Sequence, residues 1–382
     1  MKTHAIIPIF IPHRGCPHDC VFCNQRRITA RSGDVTPEDA RAIIETWLST
    51  LRPLSAAADG ADREADGVNQ EARKGGANAG GVRTVEVSFY GGSFTGLPLA
   101  EQSAFLAVAK EYKDAGRIDK VHLSTRPDYI DREILDNLRA YTVDTVELGV
   151  QSFDDDVLRA SGRGHDSRAV YQAVALLKEY GFEFGIQLMI GLPGDSPESC
   201  VRSARETAAL GPALARLYPT VVLPDTALYD MRCRGEYTPL TLEESVSRTL
   251  AMYKVLDAAG INIMRVGLKS SDLVSGDTYH PAFRQLVEGA LARERIVPLL
   301  DQAQASVQSA AHSVDASTAT KSDPQPQVTV TLYSNHHWFS NMIGHKAENK
   351  HFFADRYPQL SIRYAADDTL PGGWFRAAVT RP

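Results

Sequence analysis

Short apolar runs alternate with helix-like segments along about 220 residues, and this alternation limits the possible folds more than any other feature. The runs are rich in Val, Ile, Leu and aromatic residues and mostly lack strict alternation, as do strands buried on both faces. Strands are predicted at residues 6–11, 85–90, 121–125, 145–150, 183–190 and 218–223. Parallel βαβ units follow from this order, and either a doubly wound sheet or a β/α barrel satisfies it.

Helix patterns fill the spaces between these runs. The first has strong start signals, because Thr36 can cap it, Pro37 occupies the first turn and two acidic residues follow. Further helices are predicted at residues 98–112, 131–140, 167–180, 197–210 and 242–259. No G-x-G-x-x-G follows the first strand, which disfavours a dinucleotide-binding fold.

Two segments have a different composition, and they suggest the domain organisation. Residues 55–81 and 302–327 are small and polar and have too little apolar area to offset the entropy of ordering, so we expect disordered insertions. A core domain is therefore expected over residues 1–295. A C-terminal extension follows at residues 328–382, with strands at 328–333 and 360–364.

Charge and hydropathy exclude some classes of protein. The chain has 41 Lys and Arg against 47 Asp and Glu, a formal charge of −6. The whole protein therefore has no basic field that would attract nucleic acid, but this net charge does not exclude a local basic patch. Its apolar runs are far shorter than the ~20 residues of a membrane span. The N-terminal apolar stretch is too short for a secretory signal, so we expect a cytoplasmic protein without membrane partners.

The spacing of the cysteines indicates what chemistry the protein performs. Cys16, Cys20 and Cys23 form a C-x3-C-x2-C motif directly after the first strand, whereas Cys200 and Cys233 are scattered and are expected to be ordinary thiols. An odd number of cysteines without an export signal argues against a disulfide framework. Thiolates are soft ligands that suit iron–sulfur clusters or zinc.

The number of ligands separates these two metals. A structural zinc site needs four ligands, so here it would require His13, His18 or a distant cysteine. A [4Fe–4S] cluster held by three cysteines instead leaves one iron open for a small molecule, whereas an electron-transfer cluster usually takes four cysteines. The motif favours the open cluster, and zinc stays as the alternative.

The motif, with aromatic Phe22 before its last cysteine, resembles the signature of the radical S-adenosylmethionine (SAM) superfamily. This resemblance implies an α/β fold, a partial (β/α)6 radical SAM barrel, here with a small C-terminal α/β extension. It also implies a [4Fe–4S] cluster on Cys16, Cys20 and Cys23 whose open iron chelates SAM. One-electron reduction then yields a 5′-deoxyadenosyl radical, and the protein positions and shields these cofactors.

Further motifs narrow the resemblance. In their order and spacing they are similar to the radical SAM part of the Elongator catalytic subunit, a tRNA-uridine-modifying acetyltransferase, and more weakly to oxygen-independent coproporphyrinogen oxidase-like proteins. The motifs are YGGSFTGLP at residues 90–98, STRPDY at 124–129, ELGVQS at 147–152, RGH at 163–165, GLPG at 191–194 and LYPT at 217–220. Together they span roughly residues 5–290 without the first insertion.

Candidate SAM-binding residues follow at the ends of the predicted strands. Gly91 and Gly92 let the backbone approach a ligand closely. Glu147 and Gln151 lie on one face of a strand and offer an acceptor and an amide.

Two more candidates are taken from the resemblance. Arg163 matches the arginine that holds the SAM carboxylate, a task that suits its fork geometry. Gln187 lies where coproporphyrinogen oxidase-like enzymes place an Asp on the ribose. Arg126 is expected either near SAM or substrate, or in an ion pair with Asp128.

This sequence also departs from the Elongator pattern. Its cysteines are more closely spaced, and no acetyl-CoA-type Gly-rich loop follows residue 290, so we expect an Elongator-like radical SAM enzyme without the acetyltransferase domain. The resemblance favours tRNA or another RNA as substrate and an electron donor such as flavodoxin or ferredoxin. Alternatives are a radical SAM enzyme acting on a small metabolite or tetrapyrrole, and a non-catalytic iron–sulfur RNA-binding or sensor module.

The C-terminal extension contains a segment rich in His and aromatic residues, 334–353. Three interpretations stay open: a cap over the barrel, a stacking surface for RNA, and a small packing unit.

Overall fold

A seven-stranded parallel sheet forms the centre of the protein. The structure, a computed structural model, describes residues 4–11, 14–16, 20–24, 35–51, 84–268, 278–312 and 328–380. The strands are hydrogen-bonded in chain order: β1 (His4–Ile11), β2 (Thr84–Gly91), β3 (Lys120–Thr125), β4 (Thr145–Gln151), β5 (Glu183–Ile190), β6 (Leu214–Pro219) and β7 (Asn262–Val266). Parallel neighbours need crossover connections, and helices provide them.

Most helices of the barrel begin at polar caps that the sequence places before them, while α2 follows Pro98 without a side-chain cap. Thr36 and Thr241, for example, each form a capping box with the acidic residue three positions later. The helices up to the last strand of this sheet are α1 (Pro37–Thr50), α2 (Leu99–Asp114), α3 (Arg132–Ala140), α4 (Asp155–Ala160), α5 (Ser167–Tyr180), α6 (Pro197–Leu210), α7 (Ala227–Cys233) and α8 (Leu242–Ala258).

The sheet is strongly curved. Strands β2 and β6 are four positions apart, which in a flat sheet is about 19 Å at roughly 4.8 Å per strand. Nevertheless, Arg216 on β6 donates a hydrogen bond from Nη2 to the Tyr90 hydroxyl on β2 at 2.7 Å. Among the described residues the sheet order starts at β1 and ends at β7, so the curled sheet is a partial barrel.

The two faces of this barrel have different chemistry. The outer face packs its Val, Ile, Leu and Phe side chains, such as Phe89 and Leu123, against the helices as one apolar core. The inner face carries polar side chains at the alternate positions, among them Glu86, His122 and Arg216. We call the space inside the curve the lumen.

A second unit follows the barrel. Helix α9 (Phe283–His312) leads to a sheet of order β10–β8–β9, in which β8 (Val328–Ser334) pairs in parallel with β9 (Leu360–Ala366) and antiparallel with β10 (Arg376–Thr380). Two short helices, α10 (His336–Ile343) and α11 (Glu348–Arg356), complete it. Its own apolar cluster joins α9 to these elements.

The fold class is confirmed. Helices α4, α7, α9, α10 and α11 and strand β10 were not predicted, and three further details differ from the expectations. The sixth strand spans Leu214–Pro219 instead of residues 218–223, because the register that pairs with β5 begins at Leu214. Strand β7 is only five residues long, and the sequence pattern did not predict it.

The third difference concerns the second expected insertion. Residues 302–312 belong to helix α9, so disorder starting at residue 302 is wrong there. Gln and Ala favour a helix, and Ala303 is buried in the second apolar cluster. Residues 55–81 and 313–327 lie outside the described residues, and the domain boundaries stay a prediction. No helix in the described ranges has the length and apolar character that a membrane span needs.

Candidate cofactor site at the carboxyl edge of the sheet

The three clustered cysteines follow the carboxyl end of β1. Two backbone hydrogen bonds anchor their loop at Val21, whose N–H donates to the Ser161 carbonyl (3.1 Å) and whose carbonyl accepts from the Leu228 N–H (2.7 Å). Phe22, the aromatic residue of the motif, packs with Val21 on an apolar cluster that includes Leu228. Residues 17–19, inside the motif, lie outside the described residues.

The glycines of the second motif contact this loop directly. A Cβ on Gly92 would lie 1.8 Å from the Arg14 carbonyl oxygen, and a Cβ on Gly96 would lie 2.1 Å from that of Gly15. The N–H of Ser93 donates to the Arg14 carbonyl at 3.1 Å. The glycines therefore allow two backbone segments of this chain to touch. We call this contact between residues 14–15 and 92–96 the glycine contact.

Arg163 lies beside the cysteines, and its predicted role in holding the SAM carboxylate stays a prediction. Its Nη1 donates to Cys20 Sγ at 3.1 Å, and its Nη2 donates to the Gly149 carbonyl at the end of β4. His165 Nε2 lies 3.3 Å from the same Nη2. Burial, and then the charge of Arg163, lower the pKa of His165 to about 4, so the imidazole is neutral at pH 7 and can accept this bond. The Nε of Arg163 is buried and has no hydrogen-bond partner among the described residues.

Arg126 is a second cation near the cysteines. It forms a bidentate pair with Asp128, with Nε–Oδ1 and Nη2–Oδ2 distances of 2.9 and 2.8 Å. Its Nη1 is buried and has no hydrogen-bond partner in the part of the chain that the structure describes. Burial, and then the Cys20 thiol, raise the pKa of Cys16, while Arg126 and Arg163 act in the opposite direction.

Gln151 and Gln187 meet at the same edge of the sheet. Gln187 Nε2 donates to Gln151 Oε1 at 3.1 Å. Gln151 has a φ of +73° and follows a register shift after Gly149, so the strand ends in a strained bulge. Such strain is typical of sites where a side chain must be aimed.

Glu147 has other partners. Its carboxylate is 1% exposed, accepts from Ser124 Oγ at 3.1 Å and places Oε2 2.7 Å from Arg216 Nε, out of line for a hydrogen bond. His122 lies between this carboxylate and that of Glu86, with Nδ1 3.0 Å from Glu86 Oε1 and Nε2 3.8 Å from Glu147 Oε2. The carboxylate thus belongs to a charged network in the lumen, and SAM binding by Glu147 stays a prediction.

A cluster fits this loop by the chemistry of its donors. The motif offers three thiols, and Cys20 is in contact with a guanidinium that can stabilise a thiolate. Within the described parts of the chain, no three His, Cys, Asp or Glu side chains converge in an arrangement that could hold a metal ion. Cys200 is buried and donates to Asp195 Oδ2 at 3.0 Å, and Cys233 is exposed, so both lie apart from the loop.

The His-rich segment of the extension packs mainly on helix α9 and also meets the barrel, where Trp338 packs on the main apolar core and the His345 ring lies 5.0 Å from that of His280. His336 pairs with Asp368 (2.9 Å) and His345 lies 3.3 Å from Gln285. Asn349 is fully buried, and its Nδ2 donates to the Gly289 and Asn341 carbonyls. These contacts support the interpretation as a packing unit.

A surface depression of about 450 Å³ lies at the opposite edge of the sheet, near the amino ends of the strands. Lys113 and Lys120 line it, and both face carboxylates, at 2.6 Å from Asp144 and 3.7 Å from Glu183. Since these charges are already paired, the depression is not part of the candidate site.

Comparison with protein families assigns the class. Residues 10–206 match the radical SAM superfamily model, and residues 212–293 match the model of the radical SAM C-terminal domain. This chain belongs to the radical SAM superfamily and is a radical SAM enzyme. The cofactors of the superfamily are a [4Fe–4S] cluster and SAM, in agreement with the prediction from the cysteine motif.

Individual relatives agree with the Elongator resemblance. The chain is 31% identical to tRNA uridine(34) acetyltransferase of Dehalococcoides mccartyi over 202 residues, which cover 48% of this chain and 44% of that protein. It is 30% identical to human Elongator complex protein 3 over 194 residues, which cover 45% and 36% of the two chains. The alignment thus spans less than half the length of these relatives.

A solved structure shares the fold. Archaeal Methanocaldococcus infernus Elp3, lacking its N-terminus, aligns with a TM-score of 0.56 at 19% identity. The alignment covers 77% of this chain and 64% of that one. The partial barrel is therefore the architecture expected for the superfamily.

Proposed function

We propose that this enzyme holds a [4Fe–4S] cluster on Cys16, Cys20 and Cys23 and cleaves SAM to modify a base in tRNA or another RNA. When bound and reduced, the cluster would supply one electron that splits SAM into methionine and a 5′-deoxyadenosyl radical. The observation that carries the proposal is the contact between Arg163 and Cys20. It joins two predicted parts of the machinery that are 143 residues apart in the chain.

The remaining residues would bind and orient SAM. Arg163 is proposed to hold the SAM carboxylate through its partnerless Nε, and the paired amides of Gln151 and Gln187 would meet the ribose or methionine part. The backbone at Gly91 and Gly92 would line the same edge. A buried, half-satisfied cation next to a thiol is costly without a ligand, which supports a bound anion here.

The RNA substrate is inferred from the relatives. Two of them are named for tRNA uridine(34) acetylation and for the Elongator complex. A reductant such as flavodoxin or ferredoxin is proposed as electron donor, because cleavage consumes one electron per SAM.

The decisive assay is 5′-deoxyadenosine formation by anaerobically reconstituted protein with SAM, dithionite and bulk tRNA. Wild type should be brown and form the product, whereas Cys20→Ala should lose both properties. Cys233→Ala is the matched control, because this thiol is exposed at the end of α7, and it should behave like wild type. Colourless protein containing zinc would refute the proposal.

Binding of SAM tests Arg163 without turnover. Arg163→Met should retain iron and weaken SAM roughly tenfold to hundredfold in equilibrium dialysis, the loss of charge-assisted hydrogen bonds. Arg159→Met is the control, because Arg159 is exposed and pairs with Asp156 on the outer surface. Equal SAM affinity in Arg163→Met and wild type would remove Arg163 from the site.

A further inference from the structure

The sheet of the C-terminal extension has helices on only one of its two faces, among the residues that the structure describes. Val330 and Leu332 of β8 and their β9 partners Ile362 and Tyr364 belong to the apolar cluster that also contains α9, α10 and α11. Neighbouring residues of a strand point to opposite faces, so the alternate positions point away from these helices. We call these outward residues the open face: Thr329, Thr331, Tyr333, Ser361, Arg363, Ala365, Arg376, Ala378 and Thr380.

The open face has a net positive charge. It contains two arginines and no Asp or Glu. Arg363 is exposed and has no ion-pair partner in the described part of the chain. Arg376 pairs with Asp367, the residue after β9, at 2.9 Å. The Arg363 guanidinium therefore stays free for an anion, although the whole chain has a formal charge of −6.

Two accessible aromatic side chains accompany these cations. The guanidinium carbon of Arg376 lies 4.2 Å from the centre of the Tyr333 ring, and Tyr333 is partly exposed. Trp374 is 65% exposed, the largest value among the exposed large apolar side chains of the described residues. Phe375 packs inward against Trp338, so the alternation along this segment puts Trp374 on the side of Arg376. Aromatic rings beside guanidinium groups are typical of surfaces on which nucleic-acid bases stack.

The remaining positions of the open face distinguish RNA from a protein partner. They are Thr, Ser and Ala, so the face offers hydroxyl groups but little of the apolar area that the centre of a protein–protein interface needs. Hydroxyl groups hydrogen-bond to phosphate oxygens and to the ribose 2′-OH, and a free guanidinium attracts a polyanion. The open face also lies beyond residue 293, where the match to the family models ends. The match to the superfamily therefore does not account for it.

We propose that the open face, together with Trp374, binds single-stranded RNA. Tyr333 and Trp374 stack on bases, Arg363 contacts a phosphate, and Arg376 holds the Tyr333 ring in place. RNA binding at this surface requires neither the cluster nor SAM. The inference therefore goes beyond the proposed function, and either one can fail while the other holds.

Fluorescence anisotropy of the full chain with a labelled single-stranded RNA of about 12 nucleotides tests this surface. Tyr333→Leu and Trp374→Leu should each weaken binding by at least about fivefold, since each removes a ring on which a base stacks. Trp47→Leu is the matched control, because Trp47 is also exposed but lies on α1 of the barrel. A duplex of the same sequence should bind more weakly than the single strand, because its bases are already stacked on one another.

The salt dependence of binding separates a phosphate contact from a general loss of structure. Arg363→Met should reduce the slope of the logarithm of affinity against the logarithm of salt concentration by about 0.7, the value for one phosphate contact on a single strand. Arg132→Met is the control, because Arg132 is exposed and pairs with Glu179 on the helices of the barrel. This control should have the slope of wild type.

The outcomes decide the proposal in both directions. Wild-type affinity in both Tyr333→Leu and Trp374→Leu, an unchanged slope in Arg363→Met, or equal binding of duplex and single strand would overturn it. A wild type that dimerises in analytical sedimentation beside a monomeric Trp374→Leu would assign the open face to a second copy of this chain and would overturn it too. Arg363→Met keeps the test decisive if Tyr333→Leu fails to fold, because Arg363 is exposed. Formation of 5′-deoxyadenosine by the same variants reports the proposed function separately.

Discussion

Removal of the Arg216 cation tests the charged lumen most directly. The Arg216 and Glu147 side chains are 9% and 1% exposed, with charged atoms 2.7 Å apart. At an effective dielectric constant of about 20, this distance corresponds to roughly 6 kcal/mol of attraction, most of which offsets the removal of both groups from water. In Arg216→Met the Glu147 carboxylate loses its nearest cation, keeps the hydrogen bond from Ser124 and stays buried.

The expected cost of Arg216→Met is about 3–4 kcal/mol at pH 7, the lower part of the usual range for a buried charge that loses its partner. This cost has an upper bound, because the buried carboxylate can take up a proton instead of staying charged. Protonating an ordinary glutamate at pH 7 costs about 3.7 kcal/mol. The same bound falls to about 1 kcal/mol at pH 5. The variant should therefore be strongly destabilised at pH 7 and much less at pH 5.

Urea unfolding followed by far-UV circular dichroism measures this cost. With a slope of about 3 kcal/mol per molar, 4 kcal/mol shifts the midpoint by about 1.3 M. The double variant Glu147→Gln/Arg216→Met should recover most of the loss, because it leaves no charge behind. Equal destabilisation of the single and double variants, or a cost independent of pH, would refute the reasoning.

Three further predictions follow from the same structure. Gly92→Ala should lower iron retention and the brown colour of reconstituted protein, because its Cβ would lie 1.8 Å from the Arg14 carbonyl oxygen. Gly289→Ala, whose Cβ has no described neighbour closer than 3.8 Å, should not. For Glu86, burial raises the pKa, but hydrogen bonds from His122 and Ser88 bring it down to about 2. The ionised carboxylate thus contributes about 3 kcal/mol above pH 4.5, which is lost as pH falls towards 2, and an acid titration of Glu86→Gln should lack this loss. Thr241→Ala should lower stability by about 1 kcal/mol in urea unfolding, because it removes the side-chain cap of α8.

The sequence predicted the order of the elements better than their contacts. Apolar runs and capping signals placed the first five strands and most helices, because local patterns carry that information. The strand that contains Arg216 was placed four residues too late, since its polar residues interrupt the apolar run. The sequence did contain a signal for the polar lumen that the prediction did not use. Polar residues occupy alternate positions of the buried strands, among them Glu86, His122 and Arg216.

The candidate site shows the same limit. Cysteine spacing and the motif at Arg163 indicated a common site, and the structure brings Arg163 to Cys20. The partners of Glu147 depend on the curvature of the sheet, which no local pattern specifies. Likewise, glycines at a strand end indicate a close approach, but only the folded chain reveals that Gly92 meets the backbone at Arg14.

The long-range contact between Tyr90 and Arg216 also affects how the chain folds during synthesis. The carboxylate of Glu147 is made on β4, whereas its guanidinium partner Arg216 comes only on β6. A nascent chain that ends before β6 cannot bury the Glu147 carboxylate without a large penalty. We therefore expect the sheet to stay open on the ribosome until residue 216 has emerged, and the lumen to form as one of the last steps.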